Sequence, residues 1–330
     1  MNYYTKKSLT ELFQKHDLKP SSVTGYTGNL FSMARRLGFP GVPDDKVESW
    51  FDVKKFDLHY SHLKPTSKRN YFSSLIGLMK VRNEEDSKLF ELLSEDRDSL
   101  NSEYTRLIEK KELSPAEKAN WTDLSILQEA YTEDVQPFLK RIGFLKKSGA
   151  SLKSSDFDAQ EIKKIRDNVI VSMYLLPFHD LKNNFAPTRN DYGTLFLNKG
   201  KKAPGEDKNY LHIPNSKSAT LIFNFHKTQR THGTATVELP QEAATILRRW
   251  VLFMNLKDGD QVFQDLTKGE ITNILQTNLK RLTGKKLGSS MLRKLYVSHR
   301  FGDQLANQKA VSENMMNSTA VQSSVYNKNV

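Results

Sequence analysis

Four short stretches hold the residues that could do chemistry. APTRNDYGTLFL carries Arg189 just ahead of an apolar run, and FNFHKTQRTHGTATVELP carries Lys227 between two alternating runs. GSSMLRKLYVSH carries Arg293 and Lys294 at the head of an apolar helix pattern, and MMNSTAVQSSVYNK carries Tyr326. The familiar catalytic layouts are missing: there is no GxxxxGK[ST] loop, no GxGxxG after a strand, no HExxH and no Gly-x-Ser-x-Gly elbow. The chain has no cysteine, and its eight histidines show no metal-ligand spacing, so the pattern calls for neither metal nor cofactor. What remains is a series of cations and a late tyrosine. Such a set suits reaction at a phosphodiester. Attack there builds negative charge on the non-bridging oxygens, which two arginines can hold bidentately. The 5′ oxygen leaves poorly unless protonated, and a lysine can donate that proton. A tyrosine nucleophile makes a phosphodiester linkage that a second strand's hydroxyl can reverse.

The elements that must position these residues follow from periodicity. Leu9, Leu12 and Phe13 begin one amphipathic helix. Val23, Tyr26, Leu30, Phe31 and Ala34 form a second, with Ser21 or Ser22 as N-cap and an end near Gly38. Val47, Trp50 and Phe51 suggest a third. Lys64-Pro65-Thr66 opens a fourth, with Tyr71, Leu75, Leu78 and Met79 on one face. Arg82 to Glu109 carries nine acidic and four basic side chains and reads as a helical linker. Ser114-Pro115-Ala116-Glu117 combines an N-cap, a proline at the first helical position and a glutamate at the third. Ile162, Ile165, Val169, Met173 and Leu176 mark a buried helix ending at Pro177. Strand patterns follow at 194–197 and 210–213, and then a β-hairpin whose arms hold Ala219, Leu221, Phe223 and Phe225 against Ala235, Val237 and Leu239. Ala243, Leu247, Trp250 and Met254 restore the helical period, and residues 271 to 326 read as helical with short breaks.

The expected fold class is therefore mainly α with a small antiparallel β-sheet (α+β). A helical unit over 1–105, with the acidic linker from about 82, precedes a larger unit over 106–330. The net charge of +12 points to a polyanionic partner. Its distribution sharpens this: Lys280 to Gly302 holds seven Lys/Arg and no Asp or Glu. In the helical half, Arg35, Arg36, Lys64, Lys68 and Arg69 cluster where helices begin or end, which suits phosphate contact, and Lys294 does the same in the second half. No apolar run approaches the length of a membrane span and the N-terminus has no apolar signal core, so the expectation is a soluble, intracellular protein of nucleus or cytoplasm.

The order of Arg189, Lys227, Arg293 and Tyr326 resembles that of the tyrosine recombinases, the phage integrases and their relatives, particularly the divergent branch of eukaryotic viruses and mobile elements. The resemblance covers the whole chain, with the helical half similar to their core-binding domain and the rest to their catalytic domain. It implies Arg189 and Arg293 as phosphate clamps, Lys227 as general acid and Tyr326 as nucleophile, 33 residues beyond Arg293. Two positions depart: Ser290 stands where the family's His-x-x-Arg box begins, and Asn317 where a His or Trp precedes the tyrosine. Both can donate hydrogen bonds to a phosphate oxygen, but neither shuttles a proton as histidine does. Lys217 rivals Lys227, and His232 or His299 could replace the missing imidazole. The implied activity is site-specific DNA recombination through a covalent 3′-phosphotyrosyl intermediate, by a homo-oligomer, a tetramer, on double-stranded DNA. Two alternatives stay open: a type IB topoisomerase-like relaxing enzyme, and a non-catalytic DNA-binding relative.

Overall fold

The computed structural model describes all residues except Met1, Lys19, 110–112, 146–151, 182–184, 216–217, 228, 230–232, 265 and 315–330; the side chains of 21, 107–109, 303 and 305–314 are also outside the description. Contacts divide the chain into two units, Met1–Leu113 and Ser114–Val330.

The first unit is a helical bundle. Its helices are α1 (Lys6–Lys15), α2 (Pro20–Arg36), α3 (Val47–Trp50), α4 (Val53–Tyr60), α5 (Pro65–Val81) and α6 (Lys88–Glu109). A two-residue ribbon pairs β1 (Tyr3–Tyr4) with β2 (Val42–Pro43). Helix α2 begins at Pro20, so neither Ser21 nor Ser22 is its N-cap; a first-turn proline has no N–H to lose and its φ is already helical. The helix closes where expected. Gly38 takes φ +92°, and Phe39 N–H returns to the Ala34 carbonyl at 2.9 Å. The acidic stretch is not a linker. Leu93 is fully buried in the first core, and Leu89, Phe90 and Leu100 pack against it, so α6 has an apolar face and its acids lie outward.

In the second unit Ser114 caps α7 (Pro115–Asn120) through a reciprocal box with Glu117, as the sequence implies. Then α8 (Leu124–Glu129), a π turn (Ala130–Val135) and α9 (Gln136–Arg141) run on as consecutive helical segments. From the π turn, Tyr131 donates to Glu242 Oε1 at 2.6 Å, and Gln136 Nε2 donates to the same oxygen at 2.9 Å. Helix α10 (Ala159–His179) forms the spine of the core, with Ile165, Val169, Ile170, Met173 and Tyr174 buried. It continues through Pro177 rather than stopping there; so close to the end, the ring costs only a terminal hydrogen bond.

Strands β3 (Leu195–Asn198), β4 (Asn209–His212), β5 (Thr220–Phe223) and β6 (Ala235–Glu238) form one sheet in that order. The sheet is mixed. The β4–β5 and β5–β6 pairs are antiparallel, but β3 and β4 run parallel. The free edge of β3 is covered by 259–262, which exchange backbone bonds with Leu195 and Leu197 at 2.8 Å. Helices α11 (Gln241–Phe253), α12 (Lys268–Thr283) and α13 (Ser289–Asn314) complete the unit. The chain is thus mainly helical with a small β component. Among the described residues no helix is long and apolar enough to cross a membrane.

Candidate active site

The turn 188–194 ahead of β3 is held by a dense set of contacts. Tyr174 of α10 donates its hydroxyl to the Arg189 carbonyl at 2.9 Å, and Thr188 Oγ1 donates to the same oxygen at 3.1 Å. Asn190 Nδ2 donates to the Lys268 carbonyl and to Thr272 Oγ1, both at the start of α12. Asp191 is buried and pairs with Lys268 Nζ at 2.5 Å. Gly193 lies so close to the chain before α12 that an added Cβ would meet the Leu266 carbonyl oxygen at 2.5 Å. Arg189 therefore projects from a short 3-10 turn held between α10 and α12, with its own side chain half-buried.

Arg293 comes to the same place from the first turns of α13. Its Nε donates to the Ser289 carbonyl at 3.3 Å and its Nη2 to Ser290 Oγ at 3.2 Å. Burial lowers the Arg293 pKa below its ordinary value, and the neighbouring positive charge of Arg189 lowers it further. Two arginines far apart in sequence thus repel each other across one site. Neither makes an ion pair among the described residues, and Asp191, the nearby carboxylate, is held by Lys268. Beneath them Tyr174 packs edge-on to Tyr192 at 5.4 Å, and burial pushes the Tyr174 hydroxyl well above its usual range, so it stays a neutral donor. Two cations that make no ion pair among the described residues, backed by apolar packing, make a site for an anion with two oxygens to offer.

Lys227 stands exposed just beyond β5. Its neighbour His226 bonds the Gly233 carbonyl at 2.8 Å across the hairpin. The base of that hairpin rests on two buried asparagines. Asn209 Nδ2 donates to Thr194 Oγ1 at 2.8 Å and to the Phe225 carbonyl at 3.0 Å, while its Oδ1 accepts from Phe225 N–H at 2.7 Å. Asn224 Nδ2 donates to the carbonyls of Gly205 and Lys208, and its Oδ1 accepts from Thr234. His299, a candidate to replace the missing imidazole, contacts the Thr122 carbonyl at 3.3 Å. Asn317 and Tyr326, with Lys217 and His232, lie outside the described residues.

The cations expected to face DNA divide into free and engaged ones. In the first unit α2 and α5 pack antiparallel, since Tyr26 lies against Gly77, Asn29 bonds Ser74 and Ser32 meets Tyr71. This places Arg35 and Arg36 at the same end as Lys64 and Lys68. Arg35 and Lys64 are exposed and make no ion pair among the described residues, and Arg36 lies 5.1 Å over the Tyr60 ring. Lys68 pairs with Asp57 at 3.1 Å. Arg69 donates to Asn101 at 3.3 Å and stacks 5.5 Å over Tyr104, and it lines a polar cleft of about 400 Å³. In the second unit Lys294 is bound to Glu117, whose pKa falls to about 2 through that bond and the Ser114 backbone N–H. The basic run 280–302 is therefore partly covered by α7, because Lys285 and Lys286 also bond Ala119 and Asn120.

The residues that sequence reasoning passed over are Lys268, Tyr174 and Asn209. Lys268 has no distinguishing context beyond the capping box Thr267–Glu270 that it follows. Asn209 does carry a signal: it occupies an inward position of a strand whose next inward residue is Leu211, and a polar residue there must have partners. Comparison of the chain with family models, with curated proteins and with solved structures finds no match.

Proposed function

We propose that the protein breaks and rejoins DNA through a covalent 3′-phosphotyrosyl link to Tyr326. The observation that carries this reading is the approach of Arg189 and Arg293, which repel one another and make no ion pair among the described residues. Holding two guanidinium groups together unpaired is costly unless an anion completes the site, and a phosphodiester offers two non-bridging oxygens. In the proposed step the Tyr326 hydroxyl oxygen attacks phosphorus and gives its proton to solvent. The bond from phosphorus to the 5′ oxygen breaks, and that oxygen leaves with a proton from Lys227. Ser290 positions Arg293 by accepting its Nη2 hydrogen bond. Asn317 donates to the phosphate. The 5′-hydroxyl of another strand reverses the step, so one bond replaces another without external energy. Each protomer supplies one tyrosine, so exchange of duplex strands needs several copies, four in the reading implied by the resemblance. Arg35, Arg36 and Lys64 supply sequence-independent phosphate contact from the first unit.

The test is a denaturing gel on protein incubated with duplex DNA taken from the ends of the element that encodes it. A covalent adduct that disappears in Tyr326→Phe, with duplex affinity nearly unchanged, supports the reading. Tight duplex binding with no adduct leaves a non-catalytic DNA-binding protein.

A further inference from the structure

Asn209 links the two halves of the candidate site. Its amide is buried on the inward face of β4, and among the described residues its hydrogen bonds go to two segments. Toward the arginines, Nδ2 donates to Thr194 Oγ1, and that hydroxyl in turn donates to the Asp191 carbonyl at 2.7 Å. Toward the hairpin, Nδ2 and Oδ1 together bracket the backbone of Phe225, two residues before Lys227. Phe225 itself is half exposed, so apolar packing does not anchor this turn of chain. Its register against the Arg189 segment is set by the asparagine.

We propose that Asn209 is a positioning residue for proton donation: its amide fixes where Lys227 stands relative to the phosphate held by Arg189 and Arg293. The inference rests on the reading of Lys227 as the acid that protonates the leaving 5′ oxygen. Leucine would fit the space but would leave Phe225 N–H and Thr194 Oγ1 without their partner. Aspartate can still accept from Phe225 N–H but cannot donate to Thr194 or to the Phe225 carbonyl. The consequence falls on one step. Clamping of the non-bridging oxygens rests on the bonds from α10 and α12 to the Arg189 turn and on the seating of Arg293 in α13, and Asn209 is a partner in none of those bonds.

That selectivity makes the inference testable with two duplex substrates, one ordinary and one with the bridging 5′ oxygen replaced by sulfur. The thiolate leaves without a proton, so a defect confined to proton donation is rescued on the second substrate. Asn209→Asp should form adduct about 10²-fold more slowly than wild type on ordinary DNA, yet at close to the wild-type rate on the sulfur-bridged duplex. The double variant Asn209→Asp/Lys227→Ala should be no slower than Lys227→Ala alone, because both changes remove the same contribution. Should Asn209→Asp fold poorly, Thr194→Val cuts the same link from the other side and should give the same rescue in weaker form. Equal defects on both substrates in a folded variant overturn the inference, as does a double variant slowed by the product of the two single effects. Absence of adduct with wild-type protein on either substrate removes the proposed function itself, and this inference with it.

Discussion

The Asp191 carboxylate and the Lys268 ammonium meet at 2.5 Å, with the aspartate buried and the lysine largely in solvent. The pair sits two residues from Arg189 and closes the 3-10 turn onto the start of α12. It also withholds a carboxylate from two arginines that would otherwise attract it. Asp191 already exerts a field on Arg293, favouring its charged form against burial and Arg189.

Lys268→Met and Asp191→Asn should therefore differ, although each breaks the same pair. The methionine variant leaves a buried carboxylate free to turn toward Arg293. We expect it to lose roughly 1–3 kcal/mol, less than a fully buried pair because Lys268 is exposed, and to lose affinity for anionic DNA at the site. Asparagine keeps a polar group for Lys268 and creates no competing anion, so its loss should be smaller. Denaturant titration of both variants checks the order; equal losses would count against the arrangement.

Gly193→Ala tests the close approach at the same turn. The new methyl would meet the Leu266 carbonyl oxygen at 2.5 Å, and that neighbour is backbone. The variant should be destabilised by about 1–3 kcal/mol, and Arg189 should shift with the turn. A thermal melt indistinguishable from wild type would show that the turn yields to a methyl group without cost.

Glu117 gives a pH dependence with a definite sign. Its pKa is lowered from 4.5 to about 2, first by Lys294 and then by the Ser114 backbone. A depressed carboxylate contributes stability above its unfolded value and loses it as pH falls through the folded one. Glu117→Gln retains a capping oxygen but no charge. The stability gap between wild type and this variant should be constant near neutral pH, narrow from about pH 4.5 to about 2, and vanish below. Acid titrations of the two proteins, followed by circular dichroism, read that gap directly.

For the first unit, free and engaged cations should separate in salt dependence. Arg35→Ala and Lys64→Ala should each reduce the slope of log affinity for duplex DNA against log salt by about 1. Lys68→Ala should change it less, since Asp57 already holds that ammonium. Identical slopes in all three variants would detach the helix ends of α2 and α5 from phosphate binding.

Most of the helical frame was legible because its signals are local. The capping box at Ser114, the proline opening α5 and the glycine beyond α2 each act within a few residues. The acidic stretch misled because its charge outnumbers its apolar residues, yet Leu89, Leu93 and Leu100 still share one face of α6. Strand positions were readable, but their direction was not: periodicity is the same for parallel and antiparallel pairs, so the β3–β4 pairing had no signature. Within the site, the arginines stood out by order along the chain. Lys268 and Asn209 did not, since their importance lies in partners 77 and 16 residues away.

The π turn at Ala130–Val135 sets a length constraint on the second unit. Tyr131 and Gln136 are five residues apart, and on a regular α-helix, at about 100° per residue, they would point some 140° from each other. In the wider turn both reach one oxygen of Glu242, at the first turn of α11. The segment therefore carries one residue more than an α-helix would need, and that surplus lets a single carboxylate fasten two helices. Deleting one residue from it would restore ordinary winding and leave Leu139 near its place in the core, but Tyr131 and Gln136 would no longer both reach Glu242.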